Sequence, residues 1–281
     1  MTERGQIYIC ATPIGNLEDV TFRLLRILKE VDLIAAEDTR QTRKLLSYYD
    51  IHTPLTSYHQ HNERSKAEQL IEQVLDGKNL AVVSDAGIPG ISDPGFVITE
   101  KAIAAGVKIT PIPGPSAVLT ALVASGLPTD RFVFEGFLDS HKKSRRERIQ
   151  MLGQETRTIV FYEAPHRLQA TLKDLNEAWG ERQAVVAREL TKKHEEFVRG
   201  SLATLREWFV VNEPRGEIVL MVAGNQHPEQ MEPMEIQQDP VLLVQGLMAQ
   251  GTDQKEAIKQ VAKALNKPKR EVYELVHKLR E

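Results

Sequence analysis

The sequence predicts an α/β fold in two successive units, closed by a small helical domain. Three features carry that prediction. Short β-branched runs alternate with helical patterns over residues 6–112, which implies a mostly parallel sheet covered by helices. Five further strand-like runs follow GLPTDRF (126–132) and form a second α/β unit with its own strands. A polar, acidic, proline-rich stretch, NQHPEQMEPMEIQQDP (225–240), then reads as a linker to a helical tail.

In order, QIYICA (6–11) and DLIAAE (32–37) read as strands, with an amphipathic helix from about Leu17 to Lys29 between them. LAVVSD (80–85) and VKITPI (107–112) follow, separated by a helix around 95–105. The second unit offers RFVFEGF, TIVFYEA, AVVARELT, EEFVRGS and EIVLMVAG as strands, with helices near 142–152, 165–178 and 201–211. The expected division is 1–117, 118–225, a linker at 226–240 and a tail at 241–281. In the tail, KEAIKQVAKALN carries an apolar stripe at Ile258, Val261, Ala262 and Leu265. Asn266-Lys267-Pro268 breaks it, and Pro268 starts a second helix with Val272, Tyr273, Val276 and Leu279 inward. Two short helices around a tight turn resemble a helix-turn-helix. From Asp253 onward there are eight Lys or Arg against five Asp or Glu. That excess suits either a solvated hairpin or a nucleic-acid contact, and both readings stay open.

The 281 residues carry a formal net charge of −3, so no global basic field advertises nucleic acid, and any such partner must be held by local patches. The longest nearly apolar stretch, Pro115 to Leu127, is too short to span a bilayer. The start, MTERGQIYICATP, lacks the pattern of a secretion signal. A single cysteine, Cys10, rules out a disulfide framework and suits a reducing cytoplasm. Cys10 falls in an apolar strand and is expected to be an inert core residue.

The segment SDAGIPGISDPG (84–95) stands where a ligand loop belongs in such a sheet, beyond the carboxyl end of a strand. It has no Lys, its prolines delete N–H donors, and it matches neither G-x-x-x-x-G-K-[ST] nor G-x-G-x-x-G. Nucleoside triphosphates and NAD are therefore poor fits. Its glycines and free carbonyls suit a ligand with hydroxyl and amino donors and no phosphate, such as S-adenosylmethionine. ATPIGNLEDVT (11–21) and PIPGPSA (111–117) are two more Gly/Pro turns after strands, and Ser116 is placed to cap the helix that follows. Three such turns on one sheet point to one ligand edge.

ATPIGN, AAEDTR, SDAGIPGISDPG, PGPSA, GLPTDRF, FYEAPHR and ARELTK, in this order, resemble the tetrapyrrole-methylase-like superfamily, and within it the branch that methylates small-subunit ribosomal RNA. The resemblance covers residues 5 to about 224, and the helical tail also fits that branch. It implies two α/β domains with a cofactor cleft between them. It further implies methyl transfer from S-adenosylmethionine to a cytidine ribose 2′-hydroxyl in the decoding centre, and a homodimer. The RNA partner is then small-subunit ribosomal RNA within an assembled subunit, with no membrane role. One departure is Ile88: the tetrapyrrole branch has Asp there and the ribosomal branch commonly Thr, so any side-chain polar contact at that point is lost.

For the cofactor the resemblance and the turns nominate Pro13, Gly15, Asp85, Gly87, Ile88, Pro89, Gly90, Ile91, Ser116 and Ala117. Tyr162, Glu163, Arg188, Gly216 and Glu217 join them from the second unit. Methyl transfer to a hydroxyl needs alignment and proton removal. Glu37 and Asp38 end one strand and Glu189 ends another; Asp38, Arg40 and Glu189 are the chosen catalytic candidates, although a carboxylate beside a guanidinium is more often a structural pair. No HExxH or CxxC pattern occurs, and His52, His59 and His61 lack clear zinc spacing, so no metal is expected. HKKSRRER (141–148) supplies Lys142, Lys143, Arg145, Arg146 and Arg148 for RNA phosphates, extended by Arg43 and Lys44. A charge run of this kind is usually a solvated helix face. Two alternatives remain: methylation of a small tetrapyrrole, and a ligand-sensing DNA-binding regulator built on the tail helices.

Overall fold

The structure, a computed structural model, describes residues 4–226, 228, 240–249, 252–265 and 267–278. The chain forms two compact units, Met1–Gln226 and His227–Glu281.

The first half of the larger unit is a five-stranded sheet: β1 (Gln6–Cys10), β2 (Leu33–Ala36), β3 (Leu55–Ser57), β4 (Leu80–Val83) and β5 (Lys108–Ile112). The order is β3-β2-β4-β1-β5 and every pairing is parallel. Parallel strands need crossover helices. They are α1 (Phe22–Glu30), α2 (Thr39–Tyr48), α3 (Glu63–Leu75) and α4 (Phe96–Ala104). Helices cover both faces, so β4 is buried at every position and alternates its side chains between two cores. Leu80 and Val82 pack with Leu70, Val74 and Ile98, whereas Ala81 and Val83 pack with Leu24, Leu28 and Leu46. Full burial of one such leucine stabilises by about 1.5–3 kcal/mol. Cys10 is fully buried, and burial pushes its thiol up to about 12, which leaves it inert.

The second half holds β6 (Phe132–Phe137), β7 (Thr158–Glu163), β8 (Gln183–Arg188), β9 (Glu196–Ser201) and β10 (Ile218–Val222) in the order β6-β7-β10-β8-β9. Only β6 and β7 pair in parallel; the other three pairings are antiparallel. The last strand of this half inserts at its centre. One face packs on α6 (Lys142–Met151), α7 (Pro165–Trp179) and α8 (Leu202–Val211), through Phe161, Leu220, Leu172 and Phe209. The other face packs on α5 (Ala117–Ser125): Val118, Ala121 and Leu122 meet Val185, Val219 and Met221. Ile14, from the turn after β1, belongs to the same cluster and ties the two halves together.

Local signals set the helix starts. Thr21 accepts from the Leu24 N–H and opens α1, and a separate 3-10 turn at Leu17–Asp19 is capped by Asn16. The single helix expected from Leu17 is therefore two elements. α2, β3 and α3, over 39–75, are absent from the sequence-based expectation.

The second unit contains α9 (Pro240–Ala249), α10 (Gln254–Ala264) and α11 (Lys269–Lys278), packed on Val244, Ile258, Val261 and Val272. The expected inward stripe on α10 is in this core. Asn266, Leu279 and most of the expected linker, 227 and 229–239, lie outside the described residues. Among the described residues no helix is long and apolar enough to cross a membrane.

Candidate functional site

The turns beyond β1 and β4 are bonded to each other. The Thr12 N–H donates to the Gly87 carbonyl (2.8 Å) and the Gly87 N–H returns to the Thr12 carbonyl (3.0 Å). Thr12 Oγ1 also donates to the Ser84 carbonyl at 3.2 Å. Further along, the loop folds back on itself at Gly95, whose φ is +153°. A Cβ there would stand 2.7 Å from the Gly90 nitrogen and 3.0 Å from the Pro89 carbonyl carbon. The glycine-proline punctuation thus closes a compact loop against its own backbone.

That loop forms one wall of a cavity of about 460 Å³. The first half contributes Ile14, Glu37, residues 85–88 and 91–93, Ser116 and Ala117. The second half contributes Phe137, residues 162–165, Leu190 and 216–219. Glu37, Asp85 and Asp93 share this space, and among the described residues no Lys or Arg lines it. Burial, reinforced by Asp85, raises the Glu37 carboxyl above its ordinary value. Burial, reinforced by Glu37, pushes Asp93 up to about 6, and a hydrogen bond to Ser84 only partly offsets it. Burial followed by Asp93 raises the Tyr162 phenol, whose ring meets Phe134 edge-on with centroids 5.0 Å apart.

A second cavity, of about 650 Å³, shares Ile14, Asp85, Ala86 and Glu217 with the first. Its other walls are the 12–17 turn, Ser84, Lys192 and one face of α2.

The nominated residues separate into groups. Asp85, Gly87, Ile88, Ile91, Ser116, Ala117, Tyr162, Glu163, Gly216 and Glu217 line the first cavity. Pro13 and Gly15 line the second. Pro89, Gly90 and Arg188 line neither. Pro89 and Gly90 form the backbone that Gly95 rests on, and Arg188 is ion-paired with Glu196.

The three catalytic candidates do not line either cavity. Asp38 is instead the N-cap of α2, accepting the Arg40 N–H at 2.8 Å. The Arg40 guanidinium reaches the same carboxylate at 2.7 Å and is the main cause holding it down at about 2. Glu189 braces the 216–217 turn: its Oε1 accepts from Lys192 Nζ (3.0 Å) and the Glu217 N–H (3.2 Å). The Lys192 bond is the main cause that lowers its pKa. Gly216, at φ +75°, is required there, because a Cβ would stand 2.0 Å from that same oxygen. Both carboxylates therefore hold backbone in place.

The basic run is also largely spent. Arg145 is buried and pairs with Asp174 at 2.7 Å. Arg146 reaches Asp174 (2.8 Å) and Glu177 (2.7 Å), and Arg148 reaches Glu135 (2.7 Å). Arg145 is corrected from an RNA contact to an internal ion pair, since a buried guanidinium needs its partner more than a solvated phosphate. Lys142, Lys143, Arg43 and Lys44 are exposed. His59 and His61 make an edge contact at 5.9 Å and His52 pairs with Asp50. Among the described residues no group of His, Cys, Asp and Glu is arranged to hold a metal.

Sequence reasoning passed over Asp93 and did not choose Glu37. Asp93 lies inside the 84–95 loop, where an acid among glycines and prolines is the available signal.

The tetrapyrrole (corrin/porphyrin) methylases match residues 6–206. The ribosomal RNA small subunit methyltransferase I of Halalkalibacterium halodurans is 49% identical over 98% of this chain and 96% of its own length. That of Bacillus subtilis is 46% identical over 98% and 95%. The solved structure of the Thermus thermophilus uroporphyrin-III C-methyltransferase complexed with S-adenosylhomocysteine superposes with a TM-score of 0.55 at 18% identity, covering 78% of this chain and 97% of that one.

Proposed function

The chain belongs to the tetrapyrrole methylase family, alongside the ribosomal RNA small subunit methyltransferase I proteins, and from that premise we propose that it methylates the ribose 2′-hydroxyl of a decoding-centre cytidine in small-subunit ribosomal RNA. It is an S-adenosylmethionine-dependent methyltransferase. One observation carries the choice of cofactor: the cavity of about 460 Å³ holds Glu37, Asp85 and Asp93 and, among the described residues, is lined by no cationic side chain. Such a lining repels phosphate and fits a ligand bearing a sulfonium and an ammonium. Ile88, Ile91, Phe137 and Tyr162 supply the apolar surface an adenine needs. Ile88 is compatible with this role, because an apolar side chain in this wall can pack against a ring without a polar contact.

When bound, S-adenosylmethionine supplies a methyl group on a positively charged sulfur that departs as a neutral thioether. The chain must then align the hydroxyl and accept its proton. Asp93, which lines the cofactor cavity beside Glu37 and Asp85, suits the second task. A carboxyl near 6 is largely ionised at neutral pH yet binds a proton better than an ordinary aspartate. Glu189 and Lys192 act as positioning residues by holding the 216–217 wall. Lys142, Lys143, Arg43 and Lys44 face RNA phosphates, and a ribosomal substrate places the enzyme in the cytoplasm. The homodimer belongs to the same reading, supported by Phe96, Leu119 and Val123, which are 69%, 51% and 76% exposed.

The test supplies labelled S-adenosylmethionine with undermethylated small subunits, with their stripped RNA, and with a tetrapyrrole precursor. Label in an alkali-resistant dinucleotide is the expected result. Label in the tetrapyrrole alone, or none in RNA, overturns the reading. Gly95→Ala is expected to weaken cofactor binding by roughly tenfold, because the forced conformation costs more than about 1 kcal/mol. Calorimetric titration checks it, and an unchanged affinity would show that the loop closure is irrelevant to the cofactor.

A further inference from the structure

α2 turns one face toward the second cavity. Gln41, Lys44, Leu45 and Tyr48, spaced as i, i+3, i+4 and i+7, all line it. Leu45 is buried and anchors the helix, whereas Tyr48 leaves 65% of its surface exposed. A large aromatic ring presented to a cavity wall gains little there from the fold itself. Tyr48 is held edge-on by Tyr49 (centroids 4.9 Å apart), and the Tyr49 hydroxyl donates to the Leu17 carbonyl. The Lys44 ammonium has Gln41 Oε1 as its partner at 2.9 Å, a neutral group that leaves the charge for an anion. The volume, about 650 Å³, lies in the range of small-ligand sites, roughly 300–1,000 Å³. The border with the first cavity is Ile14, Asp85, Ala86 and Glu217.

A platform ring, a cation and an amide, in a cavity that shares a border with the first, are what a single extruded nucleotide requires. A base offers a π-face, its phosphate a negative charge, and its ribose joins the two. We propose that this cavity receives the acceptor nucleotide turned out of the RNA, with its base stacked on Tyr48 and its phosphate at Lys44. The ribose then lies toward the Asp85 border, where its 2′-hydroxyl meets the first cavity. Gln41, one turn from Lys44 on the same face, is positioned to read a base edge. Sequence-specific recognition of RNA works chiefly on unstacked bases splayed onto aromatic side chains, and aromatic stacking offsets the cost of unstacking.

The proposal rests on the RNA reading above, and the experiment separates the two. Methylation of undermethylated small subunits is measured against subunit concentration for the wild type, Tyr48→Ala, Tyr48→Trp and Lys44→Ala, together with S-adenosylmethionine affinity. Tyr48→Ala should raise KM roughly ten- to hundredfold, the worth of one base stack, with cofactor affinity unchanged. Tyr48→Trp should keep KM near that of the wild type. Lys44→Ala should reduce the slope of log affinity against log salt by about one. An active wild type with an unaltered Tyr48→Ala KM, or a Tyr48→Trp as impaired as Tyr48→Ala, overturns the nucleotide site alone. A wild type that methylates no RNA overturns both readings.

Discussion

Asp174→Ala should cost about 3–5 kcal/mol of stability, because it strips the partner from a buried guanidinium. Arg145 is 6% exposed and Asp174 4%. Arg145 Nε donates to Asp174 Oδ2 at 2.9 Å and Arg146 Nε to Oδ1 at 2.8 Å. Burial pushes the Asp174 carboxyl up, but the two guanidinium hydrogen bonds outweigh it and hold the carboxyl below its ordinary value. A depressed carboxyl contributes stability above its unfolded value and loses it as pH falls through the folded one. The variant should therefore unfold at a much lower urea concentration at neutral pH, with the difference shrinking in acid. Pairing Asp174→Leu with Arg145→Met should recover most of the loss, since no orphaned charge then remains. An Asp174→Ala midpoint equal to that of the wild type would show that this network does not stabilise the fold.

Asp93→Asn should lower kcat by about 10²–10⁴ while making the protein more stable at pH 7. Burial raises Asp93 from 3.8 to about 6. Between those values the folded protein holds a proton that the unfolded chain has released. Stability therefore falls as pH rises from about 4 through about 6, by less than the roughly 3 kcal/mol of the full shift because the carboxyl is partly solvated. Asn does not titrate, so the variant should gain that amount above pH 6 and nothing below pH 4. In the wild type, kcat/KM should rise through the same region as Asp93 ionises. Thermal melts and pH–rate profiles measure both halves. A variant that is inactive but no more stable, or stabilised but fully active, separates the burial of Asp93 from its role as proton acceptor.

β1, β2, β4 and β5 were legible in the sequence because each is an apolar run ended by Gly, Pro or an acid. β3, with three residues, is too short for a periodic signal. α2 was hidden because its buried positions are Thr42, Leu45 and Leu46, one of them polar. The central place of β10 could not be read at all, since strand order is decided by packing between segments far apart in sequence. The site was half legible. Backbone turns mark their location, so the cavity's loops stood out. The choice of Asp38 over Glu37 turned on one residue, and one residue at a strand end reverses the face. Asp38 is drawn into capping α2, while Glu37 faces the cavity. Arg145, Arg146 and Arg148 of α6 read as RNA contacts because their partners, Asp174, Glu177 and Glu135, come from other elements.

The order β6-β7-β10-β8-β9 has a consequence for how the chain is made. Synthesis delivers β6, β7, β8 and β9 first, and the strand that joins them arrives last, at Ile218–Val222. Until it leaves the ribosome, β7 and β8 lack the strand that pairs with both, so each would present an unpaired, apolar edge. Translation that stalls or terminates before residue 218 releases a polypeptide with two adhesive margins in place of one closed layer. Such a product is suited to aggregation and to chaperone capture. β10 works as a keystone, and the interval before its emergence is when this protein is most exposed to misassembly.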